Sequence, residues 1–219
     1  FKKNEKAKLP MASLAKLMTA LIVLERYDLN QKITVSEEAM AEEGVQGVLK
    51  LGEVLSAKDL LYITLIESSN RSARALSEVV GNDSFVSLMN QRASELGLVN
   101  THFADATGIS PDSYATPEDL VTLTKYLYDT HALFREIISL KEYNAYFEDG
   151  KLHHKAETTN KLLGELEGIV GGKTGFTLAA RGCVIEIQKI EGRDGYIIQV
   201  VLKKKKRFYK KKKLKFINK

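Results

Sequence analysis

The chain has 219 residues, 44% of them hydrophobic and 28% charged, a balance typical of a globular domain with a sizeable core. No apolar run reaches the roughly 18 residues that a membrane-spanning helix needs, and the single cysteine, Cys183, excludes an internal disulfide. The net charge of +5 comes from residues 203–219, which hold eleven of the 33 Lys and Arg residues and no acid. The remaining body is mildly acidic, so we expect no nucleic-acid partner, whereas the basic tail would suit contact with a membrane surface.

The first half of the chain is predicted to be mainly helical. Leucine and methionine recur at helical spacing over residues 11–29, and a short extended segment follows at 30–35. A loop punctuated by glycines then leads to Ser56, which fits a helix N-cap with Asp59 at the capping-box position. The later helices are predicted at 71–80, 83–97 and 117–130, the last of them opened by Pro117.

The last third of the chain is predicted to be mainly strand. Two short segments, 142–148 and 151–155, alternate in polarity around Asp149-Gly150, which is a typical hairpin signal. Two long strands are predicted at 179–190 and 195–203, and a closing helix at 207–218.

These elements predict an α+β fold in which an antiparallel sheet is flanked by helices and a helical lobe is inserted early in the chain. We expect a single catalytic domain over residues 1–219. Its mainly helical lobe would span about 30–140, and its sheet-containing lobe would combine 1–29 with 141–219. No C-terminal β-domain is expected.

Three short motifs that carry chemistry occur in one order along the chain. They are Ser13-Leu14-Ala15-Lys16, Ser68-Ser69-Asn70 and Lys173-Thr174-Gly175. Together they match the S-x-x-K, S-D-N and K-T-G set of penicillin-binding proteins and class A β-lactamases. Each motif is weak by itself, because such short patterns are common by chance. Their joint order and their placement on predicted elements indicate one catalytic site.

The residue types suit nucleophilic catalysis. Residues i and i+3 share a helix face, so Ser13 and Lys16 should face one cleft. A serine hydroxyl needs a base, and a lysine serves as one only when its pKa is lowered by desolvation or by a neighbouring cation such as Lys173. Asn70 is expected to hold both the lysine and the substrate amide, and Ser68 to relay a proton to the leaving amine.

The third motif predicts a strand against which a substrate backbone lies as an added strand, because Thr174 and Gly175 are small residues. The backbone N–H of Phe176 would pair with that of Ser13 to form an oxyanion hole.

Residues 11–20, 97–103 and 172–177 closely resemble segments of the low-molecular-mass penicillin-binding proteins of the D-alanyl-D-alanine carboxypeptidase family, and the likeness covers about residues 1–202. The resemblance implies a β-lactamase/transpeptidase-like fold and an acyl-enzyme formed on Ser13 with the stem peptide of peptidoglycan. It also implies inhibition by β-lactams and an extracytoplasmic place of action, the export signal being absent from this chain.

The resemblance further implies a basic residue near the chain end that binds the terminal carboxylate of the substrate. Arg207 is expected in that role because its planar fork suits a carboxylate, and Thr174 and Thr177 would share the same oxygen. No cofactor or metal is expected. His153 and His154 are adjacent on a strand and should therefore face opposite sides.

The motifs leave three competing functions open. A D,D-endopeptidase cannot be separated by these motifs. A class A β-lactamase needs a glutamate that drives deacylation, and the loop 104–115 contains none. A non-catalytic wall-peptide binding protein is the third, and the intact Ser13, Lys16, Asn70 and Lys173 argue against it.

Overall fold

The computed structural model describes residues 2–192 and 194–204, and it confirms the α+β class. The first long helix, expected from residue 11, begins later, because residues 12–15 form one 3-10 turn before the α-helix starts at Lys16. The helices are α1 (Lys16–Arg26), α2 (Glu37–Ala41), α3 (Ala57–Ile66), α4 (Asn70–Glu78), α5 (Asn82–Glu95), α6 (Pro117–Thr130) and α7 (Ala132–Ser139). Of these, α2 and α7 were not expected from the sequence.

The strands form four antiparallel sheets among the described residues. Short pairs join β1 to β4 and β2 to β3, the hairpin pairs β5 with β6, and the main sheet has the order β7-β8-β9. The strands are β1 (Leu9–Pro10), β2 (Lys32–Thr34), β3 (Val54–Ser56), β4 (Tyr114–Ala115), β5 (Glu142–Tyr146), β6 (Leu152–Glu157), β7 (Ile169–Thr177), β8 (Arg181–Lys189) and β9 (Tyr196–Lys204). The hairpin and the two long strands are therefore confirmed, whereas the closing helix at 207–218 lies outside the described residues.

Local capping fixes where the helices begin. The Ser56 hydroxyl accepts the N–H of Asp59 at 3.0 Å and donates to the Asp59 carboxylate, so the predicted N-cap is present at α3. At α6, Thr116 accepts the N–H of Asp119 at 3.1 Å and Pro117 takes the first helical position. These caps satisfy backbone donors that would otherwise have no partner.

Helix α1 lies at the centre of the core. Its residues from Lys16 to Val23 are all buried, which is the pattern of a helix packed on every side. On the main sheet, a Cβ at Gly171 would lie 2.7 Å from the Ile138 side chain, so α7 packs directly on β7. At the other edge, the rings of Tyr128 and Tyr196 lie 4.7 Å apart and join α6 to β9.

The loop around Gly108 packs against the backbone just before Ser13. A Cβ at Gly108 would lie 1.9 Å from the carbonyl oxygen of Ala12, and Gly108 has a φ of +80°. Ala12 itself has a φ of +51°, which is uncommon for a residue with a side chain. Ala12, which is strained and immediately precedes Ser13, is thus held against position 108. Only glycine fits at position 108 without a clash.

We predict that Gly108→Ala destabilises the protein more than Gly52→Ala does. Both glycines have positive φ, but a Cβ at Gly52 meets nothing within 4 Å, so that control measures the backbone strain alone, about 1–2 kcal/mol. The clash at Gly108 should add at least about 1–3 kcal/mol, because a packed backbone must move. Urea unfolding of both variants measures the difference. Equal losses would show that the contact with Ala12 does not constrain the fold.

Candidate active site

Lys16 is the centre of the site. The first residue of α1, it is fully buried, and its ammonium nitrogen Nζ lies 3.2 Å from the Ser13 hydroxyl. The same nitrogen donates to the Asn70 side-chain oxygen at 2.6 Å and to the Thr107 carbonyl oxygen at 2.7 Å. Three separate parts of the chain therefore meet at one amine.

The partners of Lys16 determine how its protons point. The oxygens of Asn70 and Thr107 can only accept, so they take two N–H groups. The Ser13 hydroxyl is the one partner of the three that can donate. In its neutral form the amine thus directs its lone pair at the proton of Ser13, which is the geometry that a general base requires.

The environment favours that neutral form. Burial lowers the pKa of Lys16 to about 7, against the raising effect of the Asp105 and Glu42 carboxylates. Desolvation, rather than the charge of Lys173, is therefore the cause that we can assign to this shift. A base with a pKa near neutrality is well matched to proton transfer at physiological pH.

A second buried lysine, Lys173, donates a hydrogen bond to the second motif at Ser68. Lys173 on β7 is 2% exposed, and its amine donates to the Ser68 hydroxyl at 2.7 Å and to the Thr174 carbonyl oxygen at 2.9 Å. Burial, and then the charge of Lys16, lowers the pKa of Lys173 well below its usual value. Ser68 has a φ of +65°, so the turn between α3 and α4 is strained where it meets this lysine.

An open groove of about 360 Å³ runs from Ser13 along β7. Among the described residues β7 pairs with β8 on one side only, so its other edge is available to a substrate backbone. A Cβ at Gly175 would lie 2.9 Å from the backbone N of Ser13, so the absent side chain lets the strand approach the serine. The Thr174 hydroxyl lines the groove and bonds to the Thr159 hydroxyl at 2.7 Å.

Asp105 stabilises the loop whose Thr107 carbonyl contacts Lys16. The sequence analysis did not predict this role of Asp105. One carboxylate oxygen accepts the N–H groups of Thr107, at 2.7 Å, and of Gly108, and the other accepts the N–H of Ser110 at 2.9 Å. Burial alone would raise the pKa of Asp105, but these hydrogen bonds outweigh it and lower the pKa. An aspartate three residues before a glycine is a typical turn signal that could have identified this loop.

A buried acid is among the residues that line the groove. Glu186 on β8 is 1% exposed, and one carboxylate oxygen accepts from the Asn160 amide at 3.0 Å. The other oxygen is buried with no hydrogen-bond partner in the described part of the chain. Burial raises the pKa of Glu186 to about 8, against the lowering effect of the Asn160 bond. The only sequence signal for it is an acidic residue within an otherwise apolar strand.

The structure brings together most of the residues that the sequence predicted for the site. The motif residues Ser13, Asn70, Ser68 and Thr174–Phe176 line one groove with the two lysines beneath. The Thr177 hydroxyl instead accepts the N–H of Ala180 at 3.0 Å in the turn after β7, outside the groove lining. Arg207 lies outside the described residues. Over residues 2–192 and 194–204, no group of three or more His, Cys, Asp or Glu is placed to hold a metal.

A serine facing a buried lysine, beside a second lysine on an edge strand, is the arrangement typical of penicillin-binding serine acyl-transfer proteins. The family model described as D-alanyl-D-alanine carboxypeptidase matches residues 1–206. The chain therefore belongs to the D-alanyl-D-alanine carboxypeptidase family.

Relatives with related names support this placement. A D-alanyl-D-alanine carboxypeptidase of Bacillus subtilis is 31% identical over 84% of this chain and 49% of its own length. A D-alanyl-D-alanine endopeptidase of Escherichia coli is 34% identical over 80% of this chain and 58% of its own length. This chain thus spans about half to two thirds of the curated relatives that it matches.

Solved structures share the fold. The DD-transpeptidase of a Streptomyces strain superposes with a TM-score of 0.84 at 28% identity, covering 92% of this chain and 83% of that one. The D-alanyl-D-alanine carboxypeptidase of Mycobacterium tuberculosis gives a TM-score of 0.83 at 27% identity, covering 91% and 76%. The expected β-lactamase/transpeptidase-like fold is therefore confirmed.

We predict that Glu186→Gln changes how stability depends on pH. An unfolded carboxyl ionises above about pH 4.3, whereas the folded one keeps its proton to about pH 8. The wild type therefore loses stability as the pH rises from about 4.5 to 8. Glutamine cannot ionise, so the variant should gain on the wild type over this interval, by up to a few kcal/mol.

Urea unfolding at about pH 5 and pH 8 measures this gain. The matched control is Glu167→Gln, which removes an exposed acid from the turn that precedes β7. Parallel pH dependence in wild type and Glu186→Gln would show that the carboxyl is ionised in the folded protein.

Proposed function

We propose that this chain is the catalytic part of a serine D-Ala-D-Ala carboxypeptidase that removes the terminal D-alanine from peptidoglycan stem peptides. The observation that carries the proposal is the Ser13–Lys16 contact, in which a buried amine with a pKa near 7 points its lone pair at the serine hydroxyl. Family membership supplies the substrate class. The unit would be a single catalytic domain with a helical and a sheet-containing lobe.

In the proposed reaction Lys16 takes the proton of Ser13 while the hydroxyl oxygen attacks the carbonyl of the D-Ala-D-Ala amide. The N–H groups of Ser13 and Phe176 would hold the developing oxyanion. The Ser68 hydroxyl, bonded to Lys173, would pass a proton to the leaving nitrogen, so that D-alanine departs, and the proton that Lys16 took from Ser13 would replace the one lost by Ser68. Water then hydrolyses the acyl-enzyme and regenerates Ser13.

The terminal carboxylate of the substrate would be bound near Thr174, whose hydroxyl lines the groove. A carboxylate in a partly desolvated groove needs a cation as well. We propose Arg207 for this role because guanidinium pairs bidentately with carboxylate.

A D,D-endopeptidase is the second candidate function. The observation that favours it is the 34% identity to proteins named D-alanyl-D-alanine endopeptidase in Escherichia coli and in Haemophilus influenzae. An endopeptidase accepts a substrate whose leaving group extends further, whereas a carboxypeptidase requires a free terminal carboxylate. The two activities therefore differ in how they respond to a blocked terminus.

A class A β-lactamase and a non-catalytic peptide-binding protein have less support from the site. In a class A β-lactamase a glutamate drives deacylation, but the loop 104–115 contains no glutamate, and its buried acid Asp105 accepts hydrogen bonds from the N–H groups of Thr107 and Ser110. In a non-catalytic peptide-binding protein, nothing would maintain a lysine buried against a serine at a cost in stability.

A peptidoglycan substrate would place the protein outside the cytoplasm. None of the helices in the described residues is long and apolar enough to cross a membrane. Contact of the basic tail with an anionic membrane surface stays a proposal, which salt-sensitive binding to anionic liposomes would test.

We predict that a fluorescent penicillin labels Ser13 and that Ser13→Ala abolishes the label. The wild type should also release D-alanine from peptides that end in D-Ala-D-Ala, and should act much more slowly on the same peptides with an amidated terminus. Intact-mass spectrometry and a D-alanine assay provide the measurements. Labelling that persists in Ser13→Ala would exclude this nucleophile, and equal rates on both peptides would favour the endopeptidase.

We predict that penicillin acylation accelerates as the pH rises from about 6 to 8. Lys16 with a pKa of about 7 is protonated below this range and is free to act as a base above it. Lys16→Ala should slow acylation by about 10²–10⁴-fold and remove this rise, because general-base catalysis contributes about that much. Stopped-flow acylation of both proteins is the test, and an unchanged rise in Lys16→Ala would assign the base elsewhere.

A further inference from the structure

A second cavity lies beside the catalytic groove, on the face of the main sheet that carries Glu186. It has a volume of about 120 Å³, and it meets the groove at Glu186 and Leu162, which line both. The reaction proposed above makes no use of this cavity. Its side chains are of two kinds, three apolar ones from the segment before β7 and from its start, and three polar ones from β8 and β9: Leu162, Leu166, Ile169, Glu186, Gln188 and Gln199.

The carboxylate of Glu186 is only half satisfied. One oxygen accepts from the Asn160 amide at 3.0 Å, and the other is buried without a hydrogen-bond partner in the described part of the chain. The neighbouring amides are engaged with other acceptors: Gln199 donates to Gln188 at 3.0 Å, and Gln188 donates to the backbone carbonyl of Glu167 at 3.4 Å. A buried polar atom without a partner costs free energy, so the cavity favours a ligand that supplies the missing donor.

Gly172 leaves Glu186 open towards the groove. In the sheet Gly172 pairs with Glu186 and Thr174 pairs with Val184, so Gly172 and Thr174 face the same side, about 7 Å apart along β7. A Cβ at Gly172 would lie 2.7 Å from a carboxylate oxygen of Glu186 and 3.1 Å from the Asn160 amide. Because that atom is absent, a ligand that lies over β7 can reach the acid.

The lining suits a flexible aliphatic chain that ends in a positive charge. Methylene groups can pack on the apolar side chains of the cavity, while an ammonium group brings three donors to its acid. Burial raises the pKa of Glu186 to about 8, and an adjacent ammonium favours the ionised carboxylate. A carboxylate ligand would be repelled by that charge, and a purely apolar ligand would leave the oxygen unpaired.

We propose that this cavity binds the side chain of the leaving residue when that side chain is an aliphatic ammonium, and that Glu186 selects for it. The inference rests on the proposed function, in which the terminal carboxylate of the leaving residue lies at Thr174. Four methylene groups cover a distance similar to that between Thr174 and Gly172, and they bring the ammonium to Glu186. The site therefore releases a terminal D-lysine more readily than an uncharged residue of the same shape.

Three peptides that differ only in their last residue test the role of the charge. Each ends in D-Ala followed by D-lysine, D-norleucine or D-ε-hydroxynorleucine, and mass spectrometry follows release of the last residue by the full chain. The kcat/KM for the D-lysine peptide should exceed that of the other two at least about 10-fold, because a hydrogen bond to a charged group contributes that much. Equal values for D-lysine and D-ε-hydroxynorleucine would overturn the selection by charge.

Two substitutions locate the selecting acid. Glu186→Gln keeps the shape of the side chain and removes the charge, so the preference for D-lysine over D-norleucine should nearly vanish. The ratio of the two peptides cancels any loss that a displaced strand imposes on both. The matched control is Glu157→Gln, which removes an exposed acid that lines the groove but not the cavity and should keep the preference. A preference that survives Glu186→Gln, or that falls equally in Glu157→Gln, would overturn the proposal.

A binding measurement without catalysis keeps the inference separate from the proposed function. In ¹⁵N-labelled wild type, free D-lysine should shift the amide signals of Gly172 and Gln199 saturably, and D-norleucine should not. The shifts should be absent in Glu186→Gln. If none of the peptides is hydrolysed, the proposed function fails, and this titration alone decides about the cavity. If the peptides are hydrolysed without preference and D-lysine causes no shift, the proposed function stands and the cavity does not bind the leaving residue.

Discussion

The burial of two lysines side by side is the constraint on which the rest of this structure depends. A buried ammonium group is costly unless it finds acceptors or loses its proton. Lys16 and Lys173 do both: each is surrounded by oxygens, and burial lowers the pKa of each. The loop that supplies the Thr107 carbonyl, the strain at Ala12 and the turn at Ser68 are all arranged around these two amines. The placement of Ser13 beside a buried amine is thus maintained by the fold as a whole and not by the serine motif alone.

Much of the architecture could be predicted from local patterns. Capping at Ser56 and Pro117, and the alternation on either side of Asp149-Gly150, are encoded within a few residues, and the structure confirms them. The two unexpected helices have weaker signals: α2 has a Ser36 N-cap but only five residues, and α7 has no side-chain cap. The β-bulge at His153 in the β5–β6 hairpin was also not predicted. A bulge depends on how two strands pair, and it leaves no mark in the alternation of one strand. The expectation that His153 and His154 face opposite sides is therefore wrong: their Nδ1 atoms lie only 2.6 Å apart.

The contacts of the site also fall into two groups, those that local spacing predicts and those that only the tertiary fold determines. The proximity of Ser13 to Lys16 follows from helical spacing and could be predicted directly. The contacts of Lys16 with Asn70 and Thr107 join residues that are 54 and 91 positions apart, so only the tertiary fold determines them. The motifs named most of the chemical groups, but the buried acids Asp105 and Glu186 lie outside them, and their only signals are a turn pattern before Gly108 and one acid in an apolar strand.

Under the proposed function, the absent side chain at Gly175 limits how the site could exclude a β-lactam. The substrate backbone and a β-lactam would use the same narrow approach to Ser13 along β7. A substitution at residue 175 that narrows this approach pushes first against the backbone N of the serine itself, because even a single Cβ would lie 2.9 Å from it. Excluding the antibiotic at this position would therefore also misalign the nucleophile.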